Sequence, residues 1–201
     1  MKTILLALAV ALNIAPTSLG KVEDPPAIAL TIEVHEGHDD PILMAVWSDG
    51  MTIWAKDQVK GGPPFLTAQV DAAKVNEFLT RLEMKQVFEK DEDFLVHFGP
   101  SSDYHSLRIR SGKKQVELLS WHELFETNRN LIATSHGITS LDGEKREDVL
   151  KADLKEYQEF RKLWSEIRDF TTSLIPREGK PYKQALKLKF EPLRPTCRNS
   201  T

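Results

Sequence analysis

The chain has 201 residues and a formal net charge of −3, with 27 lysine and arginine residues against 30 aspartate and glutamate residues. This mild charge argues against a dedicated nucleic-acid binder, because such proteins normally carry a strong basic bias. Cys197 is the single cysteine, so no disulfide can form within the chain. We expect one domain with a sizeable core, and nothing in the sequence indicates a cofactor.

The first twenty residues have the layout of a secretory signal peptide. Lys2 precedes an apolar run from Ile4 to Ile14, and small, turn-forming residues follow this run. The run is short for a membrane span, and the small residues that follow it favour cleavage before Lys21. We therefore expect an exported protein, periplasmic or extracellular, whose mature chain has no transmembrane segment.

The chain divides into three segments on this pattern. Residues 1–20 are the predicted signal peptide, residues 21–191 form a single α+β domain, and residues 192–201 are a loose C-terminal tail. The charge is uneven, because the stretch from Pro176 to Thr201 carries seven basic and two acidic residues. Within this stretch, apolar residues alternate with lysines from Ala185 to Phe190, which predicts an edge strand docked on the domain.

The stretch from Ile42 to Trp54 predicts a β-hairpin in the interior of a sheet. Asp49-Gly50 suits a two-residue turn, and apolar, β-favouring residues flank it on both sides. In that register Trp47 and Trp54 share one face of the hairpin. A strand with alternating apolar residues from Ala27 to Val34 precedes the hairpin, so the three strands should form a meander.

Two helices are predicted where apolar residues recur every third or fourth residue and no longer every second residue. Asp71 is a good N-cap for a helix from about Ala72 to Met84, whose apolar stripe should cover one face of the sheet. From about Arg146 the helical period returns, and it persists until Pro176 ends it. Three aromatic residues of this long helix are interpreted as core, with a partner-binding surface as the alternative: Tyr157, Phe160 and Trp164.

Further strands are predicted between the two helices. Phe94 to Phe98 is typical of a short apolar strand, after an acidic surface loop from Glu89 to Asp93. Asp103 to Ser120 predicts a second hairpin with Ser111-Gly112 at its tip, apolar on one face and polar on the other. Together these elements predict an α+β fold, in which an antiparallel sheet of two hairpins and flanking strands is covered by one short helix and one long C-terminal helix.

The order of these motifs resembles a recurrent module of exported bacterial proteins. The shared features are the Asp-Gly hairpin, the capped helix introduced by L-x-x-x-V-D, a short strand, and the run D-Y-x-S-L-R-I-R-S-G-K-K-Q-V-E-L. They cover the chain from about Ala27 to Trp121. The resemblance implies an α+β fold, and it implies no activity and no functional residues.

The loop after the first strand is the candidate metal site. His35, His38 and Asp39 lie within five residues, and neutral imidazole and carboxylate oxygen are ligands that zinc and similar divalent ions accept. Folding would have to bring in a further ligand, for which His122 and His136 are the candidates. The alternative interpretation is a solvated turn that is polar because it is exposed.

Two other segments are superficially catalytic. His122 and Glu123 begin a sequence similar to the zinc-protease helix motif, but Glu126 replaces the second histidine, so the two-imidazole clamp is absent. Ser135 and His136 are adjacent, which rarely gives a catalytic geometry, and the chain has no G-x-S-x-G elbow. No catalytic residue is assigned.

The sequence favours an exported, non-enzymatic interaction or structural protein, whose partner we expect to be another exported protein. His97 and His105 lie on predicted strands, where we interpret them as hydrogen-bonded residues at the sheet rim. The alternative to an interaction or structural protein is a metal-binding protein or metal-dependent hydrolase that uses the loop of His35 and His38.

Overall fold

A computed structural model describes residues 27–35, 41–97 and 103–184 of the chain. The strands in this part are β1 Ile28–His35, β2 Ile42–Trp47, β3 Met51–Ala55, β4 Phe65–Gln69, β5 Val96–His97, β6 Tyr104–Ser111, β7 Lys114–Ser120, β8 Leu131–Thr134, β9 Gly137–Ser140 and β10 Lys180–Tyr182. The α-helices are α1 Ala72–Met84, α2 Glu92–Leu95, α3 His122–Phe125, α4 Arg146–Ala152 and α5 Lys155–Leu174. The predicted signal peptide, the strand over 185–190 and the C-terminal tail lie outside the described residues.

One large sheet organises the described part of the chain. Its eight strands follow the order β10-β4-β3-β2-β1-β6-β7-β5, and β8 pairs with β9 in a separate hairpin. Neighbouring strands are antiparallel except for β5, which runs parallel to β7. The α+β prediction is confirmed, and so is the meander of the first three strands, with β4 added to it.

The register of the central hairpin differs from the predicted one. Val46 pairs with Thr52 and Met44 pairs with Trp54, so the loop holds three residues and not two. The extra residue is Ser48. Gly50 ends the loop with φ +89°, and a Cβ at this position would lie 2.2 Å from the backbone oxygen of Val70. A three-residue loop with glycine in this conformation shifts the pairing by one residue. Trp54 is therefore buried under the helices, and Trp47 points to the opposite face of the sheet.

Helices α1 and α5 cover the same face of the sheet. The Asp71 side chain accepts a hydrogen bond of 2.9 Å from the backbone N–H of Ala73, which confirms the predicted cap. The predicted stripes of both helices are buried against the strands: Val75, Phe78, Leu79 and Leu82 from α1, and Tyr157, Phe160, Leu163, Trp164 and Ile167 from α5. No helix among the described residues is long and apolar enough to cross a membrane.

The predicted continuous C-terminal helix is interrupted at Asp153 and Leu154. The Asp153 carboxylate accepts hydrogen bonds from the backbone N–H of Leu154, at 2.8 Å, and from the backbone N–H of Ser135, at 3.0 Å. These bonds replace the helical pattern, because a short acidic side chain can compete for backbone donors. The interruption separates α4 from α5 and ties the start of α5 to the turn between β8 and β9.

The segment around Phe94 is helical, so the predicted strand from Phe94 to Phe98 was wrong at its start. The Asp91 side chain accepts a hydrogen bond of 3.0 Å from the backbone N–H of Phe94, which caps α2. The strand itself is limited to Val96 and His97 within the described residues. The apolar run alone could not distinguish the two structures, because a buried helical turn and a short strand have similar composition.

The second hairpin has the predicted faces. Leu107 pairs with Leu118 and Arg108 pairs with Glu117, so apolar and charged pairs alternate along the strands. The turn residues are Gly112 and Lys113, one position later than predicted.

Candidate functional site

The predicted metal loop is only partly described, because His38 and Asp39 lie outside the described residues. The Nε2 atom of His35 lies 3.1 Å from the Ser106 hydroxyl oxygen, and its ring stacks on Tyr104 with centroids 4.4 Å apart. Among residues 27–35, 41–97 and 103–184, no group of three or more histidine, cysteine, aspartate or glutamate side chains is placed to hold a metal ion.

The acidic residues of the segment resembling the zinc-protease motif hold helix α5 in place. Glu123 Oε1 accepts hydrogen bonds from Trp164 Nε1, at 2.9 Å, and from Arg168 Nε, at 3.0 Å. Its other oxygen lies 3.1 Å from Nδ1 of His105. Burial raises the pKa of Glu123, but the His105 and Arg168 contacts outweigh this and lower it to about 2. Glu123 is therefore an ionised structural anchor.

Glu126 also holds neighbouring elements together through its carboxylate. Its carboxylate accepts two hydrogen bonds from Arg161, at 2.7 and 3.0 Å, and lies 2.9 Å from Nη1 of Arg146. It also accepts a hydrogen bond of 3.0 Å from the backbone N–H of Ala133. These contacts join α4, α5 and β8 to the end of α3, which gives the charged segment a structural role.

Ser120 and His122 form a buried serine–histidine pair. The Ser120 hydroxyl oxygen lies 2.6 Å from Nδ1 of His122. Ser120 has no exposed surface, so a substrate could not reach its hydroxyl group. Ser135 is bonded to Asp153 and His136 lies in the exposed turn, as expected for two adjacent loop residues that do not form a catalytic pair.

The buried His122 should make stability depend on pH. Burial, helped by the Arg161 cation, lowers its pKa to about 3 from an ordinary value of 6.5. Below pH 6.5 the His122 ring is protonated in the unfolded chain but stays neutral in the folded chain until the pH approaches 3. The free energy of unfolding is therefore highest above pH 6.5 and falls as the pH drops toward 3. Between pH 6 and pH 5 we expect His122 to contribute a slope of up to about 1.4 kcal/mol per pH unit in urea unfolding.

Two variants isolate this contribution. His122→Gln removes the titrating ring while keeping a polar partner for Ser120, and it should flatten the slope by about one proton. His136→Gln changes an exposed histidine in the turn of β8 and β9 and is the matched control. An equal slope in His122→Gln and the wild type would contradict the assignment.

A cavity of about 520 Å³ lies at the β5 edge of the large sheet, between α2, the turn of β8 and β9, and the start of α5. We call it the His97 groove. Its wall includes His97, Tyr157, Phe94, Ser135 and Leu154. Its rim carries five carboxylates and one lysine: Glu89, Asp91, Asp93, Glu156, Glu159 and Lys90.

One buried polar atom in the wall of the His97 groove, Nε2 of His97, has no hydrogen-bond partner among the described residues. The hydroxyl group of Tyr157 is also buried, and the Arg161 side chain contacts it. Tyr157 is only 1% exposed, and its ring contacts the His97 ring edge to face at 5.0 Å. Native proteins rarely leave such groups unpaired, because each costs roughly 1–3 kcal/mol.

The electrostatics of these two groups follow from burial. Burial lowers the pKa of His97, against the opposing charges of Asp153 and Asp93, so the ring is neutral at pH 7. Burial also raises the pKa of the Tyr157 hydroxyl, which therefore stays protonated. Arg161 contacts this hydroxyl as well as the carboxylate of Glu126, and its charge opposes part of the rise in the pKa of Tyr157. The groove thus presents a neutral imidazole and a neutral phenol.

The interruption of the C-terminal helix builds the groove. Because Asp153 bonds the Ser135 backbone and hydroxyl group, the turn of β8 and β9 lies against the start of α5. Gln158 supports this arrangement by donating a hydrogen bond of 2.7 Å to the backbone oxygen of Asp153. The helical period predicts Tyr157 in the core and the strand pattern predicts His97 at the sheet rim, and neither pattern indicates that the two residues share a cavity.

Other cavities lack this feature. A cavity of about 670 Å³ between α1 and α5 is larger, and Phe78 and Phe170 stack within its wall at 3.8 Å. A cavity of about 550 Å³ lies beside β4 and β10. Neither is lined by a described residue with a buried, unpaired side-chain atom.

No protein-family model matches this chain, and no curated protein matches it either. The functional assignment therefore rests on the geometry of the groove.

Proposed function

We propose that this chain is an exported, non-enzymatic binding protein whose ligand occupies the His97 groove. The observation that carries the proposal is a cavity whose wall combines the rings of Phe94 and Tyr157 with His97, a residue whose Nε2 atom has no hydrogen-bond partner among the described residues. Ligand sites are concave and use a few placed polar groups within mainly apolar walls, and a volume of about 520 Å³ lies in their usual range.

A binding role is supported over catalysis by the chemistry of the groove. Its wall offers a neutral imidazole beside a phenol of raised pKa, and Ser135 in the same wall is bonded to Asp153. An activated nucleophile needs an adjacent base, and its hydroxyl must be accessible. The described groove contains no such pair, whereas it does contain groups that can bind a polar ligand.

Tyr157→Phe provides the test, because it removes the hydroxyl group and retains the ring. Since the hydroxyl is contacted by Arg161 within the fold, the variant should lose at most about 1 kcal/mol in urea unfolding. Its affinity for ligands that shift the NMR signals of His97 should fall. Screening would use a panel of small amines, carboxylic acids and sugars.

Tyr182→Phe is the matched control, because Tyr182 lies on β10 at the opposite edge of the sheet. It should alter neither the stability of the groove nor ligand affinity. If Tyr157→Phe and Tyr182→Phe bind these ligands equally well, the wall of the groove takes no part in binding and the proposal fails.

Export rests on Lys2 and the apolar run from Ile4 to Ile14. Mass spectrometry of the exported fraction should find an N-terminus at Lys21 or within two residues of it, because signal peptidase cleaves after small residues. Recovery of intact Met1 in that fraction would exclude a cleaved signal peptide.

A further inference from the structure

We infer that residues 121–153, which hold α3, β8, β9 and α4, form an acid-sensitive unit that opens before the rest of the fold unfolds. We call these residues the α3–α4 unit. The inference does not depend on the ligand of the His97 groove. It follows from the small apolar burial of the unit, from its ionisable contacts and from the position of His122 against α5.

The α3–α4 unit buries little apolar surface. Its buried hydrophobic residues are Trp121, Ile132 and Ala133, and none of them belongs to the main core of the described residues. Helix α4 buries none of its described side chains, and Leu124 and Leu150 pack against the core from half-buried positions. Segments with few buried apolar contacts open locally at a smaller free energy than the whole protein. We therefore expect the unit to open while the large sheet stays folded.

Ionisable side chains join the α3–α4 unit to its neighbours. Glu123 accepts a hydrogen bond of 3.0 Å from Arg168 of α5, and its other oxygen lies 3.1 Å from Nδ1 of His105 on β6. Glu126 accepts two hydrogen bonds from Arg161 of α5, at 2.7 and 3.0 Å. Such contacts depend on the charge of both partners, so the attachment of the unit depends on pH more than attachment by apolar packing would.

His122 lies where the α3–α4 unit meets the rest of the fold. It is 7% exposed, and the Ser120 hydroxyl oxygen of β7 lies 2.6 Å from its Nδ1 atom. Its ring contacts the Trp164 ring of α5 edge to face, with centroids 5.3 Å apart. A proton added to this ring would place a charge in a nearly dry site, which is unfavourable. Opening of the unit exposes the ring to water and removes this obstacle.

The charged groups that face His122 come from three elements. Arg161 of α5 and His105 of β6 oppose a positive charge on the ring, whereas Glu123 and Glu126 of its own segment favour it. Burial and Arg161 outweigh the two carboxylates and lower the pKa of His122 to about 3 in the closed unit. In the open unit the pKa returns to 6.5, so acid favours opening as the pH falls from 6.5 toward 3.

Opening of the α3–α4 unit also changes the His97 groove. Ser135 lies in the wall of this groove and belongs to the unit, whereas Phe94, His97 and Tyr157 lie outside the unit. Acid should therefore remove one wall of the groove and leave the other wall in place.

Native-state hydrogen exchange tests the unit with two backbone amides as reporters. The Ala133 N–H donates to Glu126 at 3.0 Å inside the unit, whereas Ile32 lies on β1 between β2 and β6. At pH 7 we expect Ala133 to be less protected than Ile32, with a smaller dependence of exchange on urea. From pH 6 to pH 5 the opening equilibrium of Ala133 should rise about 5- to 10-fold, because the open unit binds one more proton than the closed unit.

Two variants assign this rise to His122. His122→Gln removes the titrating ring and keeps a polar partner for Ser120, so the rise should be lost. Thr139→Ala is the matched control, because Thr139 is an exposed, uncharged residue of β9 in the same unit. It should keep the full rise. The NMR signals of the His122 ring give a second measurement in the wild type, and they should show a neutral ring at pH 5.

Several results would overturn the inference. Equal protection and equal urea dependence at Ala133 and Ile32 would show that no separate unit opens. A rise that is absent in the wild type, persists in His122→Gln or is lost in Thr139→Ala would remove the role of His122. If His122→Gln does not fold, the ring measurement decides, because a charged His122 ring in the folded wild type at pH 5 would leave acid no reason to open the unit.

Discussion

Trp164→Ala should lower the free energy of unfolding by about 3–5 kcal/mol, the largest loss that we expect from a single substitution in this chain. Trp164 is 1% exposed in the middle of α5, where its ring packs beside Phe160 and His122. Truncation would leave a cavity under the sheet. It would also remove the indole N–H that donates to Glu123 at 2.9 Å.

Two further variants divide this loss into its parts. Trp164→Phe keeps an aromatic ring but loses the N–H donor, so it should cost less than the alanine variant, about 1–3 kcal/mol. Ser165→Ala changes the exposed neighbouring residue and should stay within about 0.5 kcal/mol of the wild type. An unchanged melting temperature in Trp164→Ala would mean that the apolar stripe of α5 faces solvent. It would then favour the alternative interpretation, in which this stripe is a partner-binding surface.

The stripe of α5 could be predicted because it depends on a local period. Tyr157, Phe160 and Trp164 recur every three or four residues, and only one face of a helix can bury that spacing. The cap at Asp71 was predictable for a similar reason, since the bond joins residues two positions apart. Both features were correct because neither depends on distant parts of the chain.

The errors arose where a distant contact decides the local structure. The helix is interrupted at Asp153 because its carboxylate bonds Ser135, 18 residues earlier. The loop at Gly50 is extended where the chain approaches Val70, whose N–H donates to the Gly50 carbonyl at 2.9 Å. A propensity assigned from neighbouring residues cannot include such partners, and tertiary contacts routinely override it.

The candidate groove could not be predicted from the sequence, because its residues are also brought together by distant contacts. His97 and Tyr157 are 60 positions apart, and their rings meet only because β5 and the start of α5 lie on the same side of the fold. One available signal was the acidic clustering before His97 and at the start of α5. Acidic runs are usually solvated surfaces, so this signal did not distinguish a site from a loop.

Glu123 joins three groups that no local pattern connects, and replacing it tests how strongly this connection stabilises the fold. Glu123→Gln keeps the size of the side chain but removes the charge that faces His105 at 3.1 Å and Arg168 at 3.0 Å. At pH 7 we expect the free energy of unfolding to fall by about 2–3 kcal/mol, because one partner of a largely buried ion pair is lost. Urea unfolding measures the loss.

The same variant should show a defined pH dependence. Because the folded-state pKa of Glu123 is about 2 and its ordinary value is 4.5, the wild type has the full stabilisation above pH 4.5 and loses it as the pH falls toward 2. The difference between the wild type and Glu123→Gln should therefore shrink as the pH falls below 4.5 toward 2. Glu166→Gln breaks a pair with the half-exposed Lys85 and should cost at most about 1 kcal/mol. An equally small loss in Glu123→Gln would mean that the carboxylate is solvated and that α5 is held by apolar packing alone.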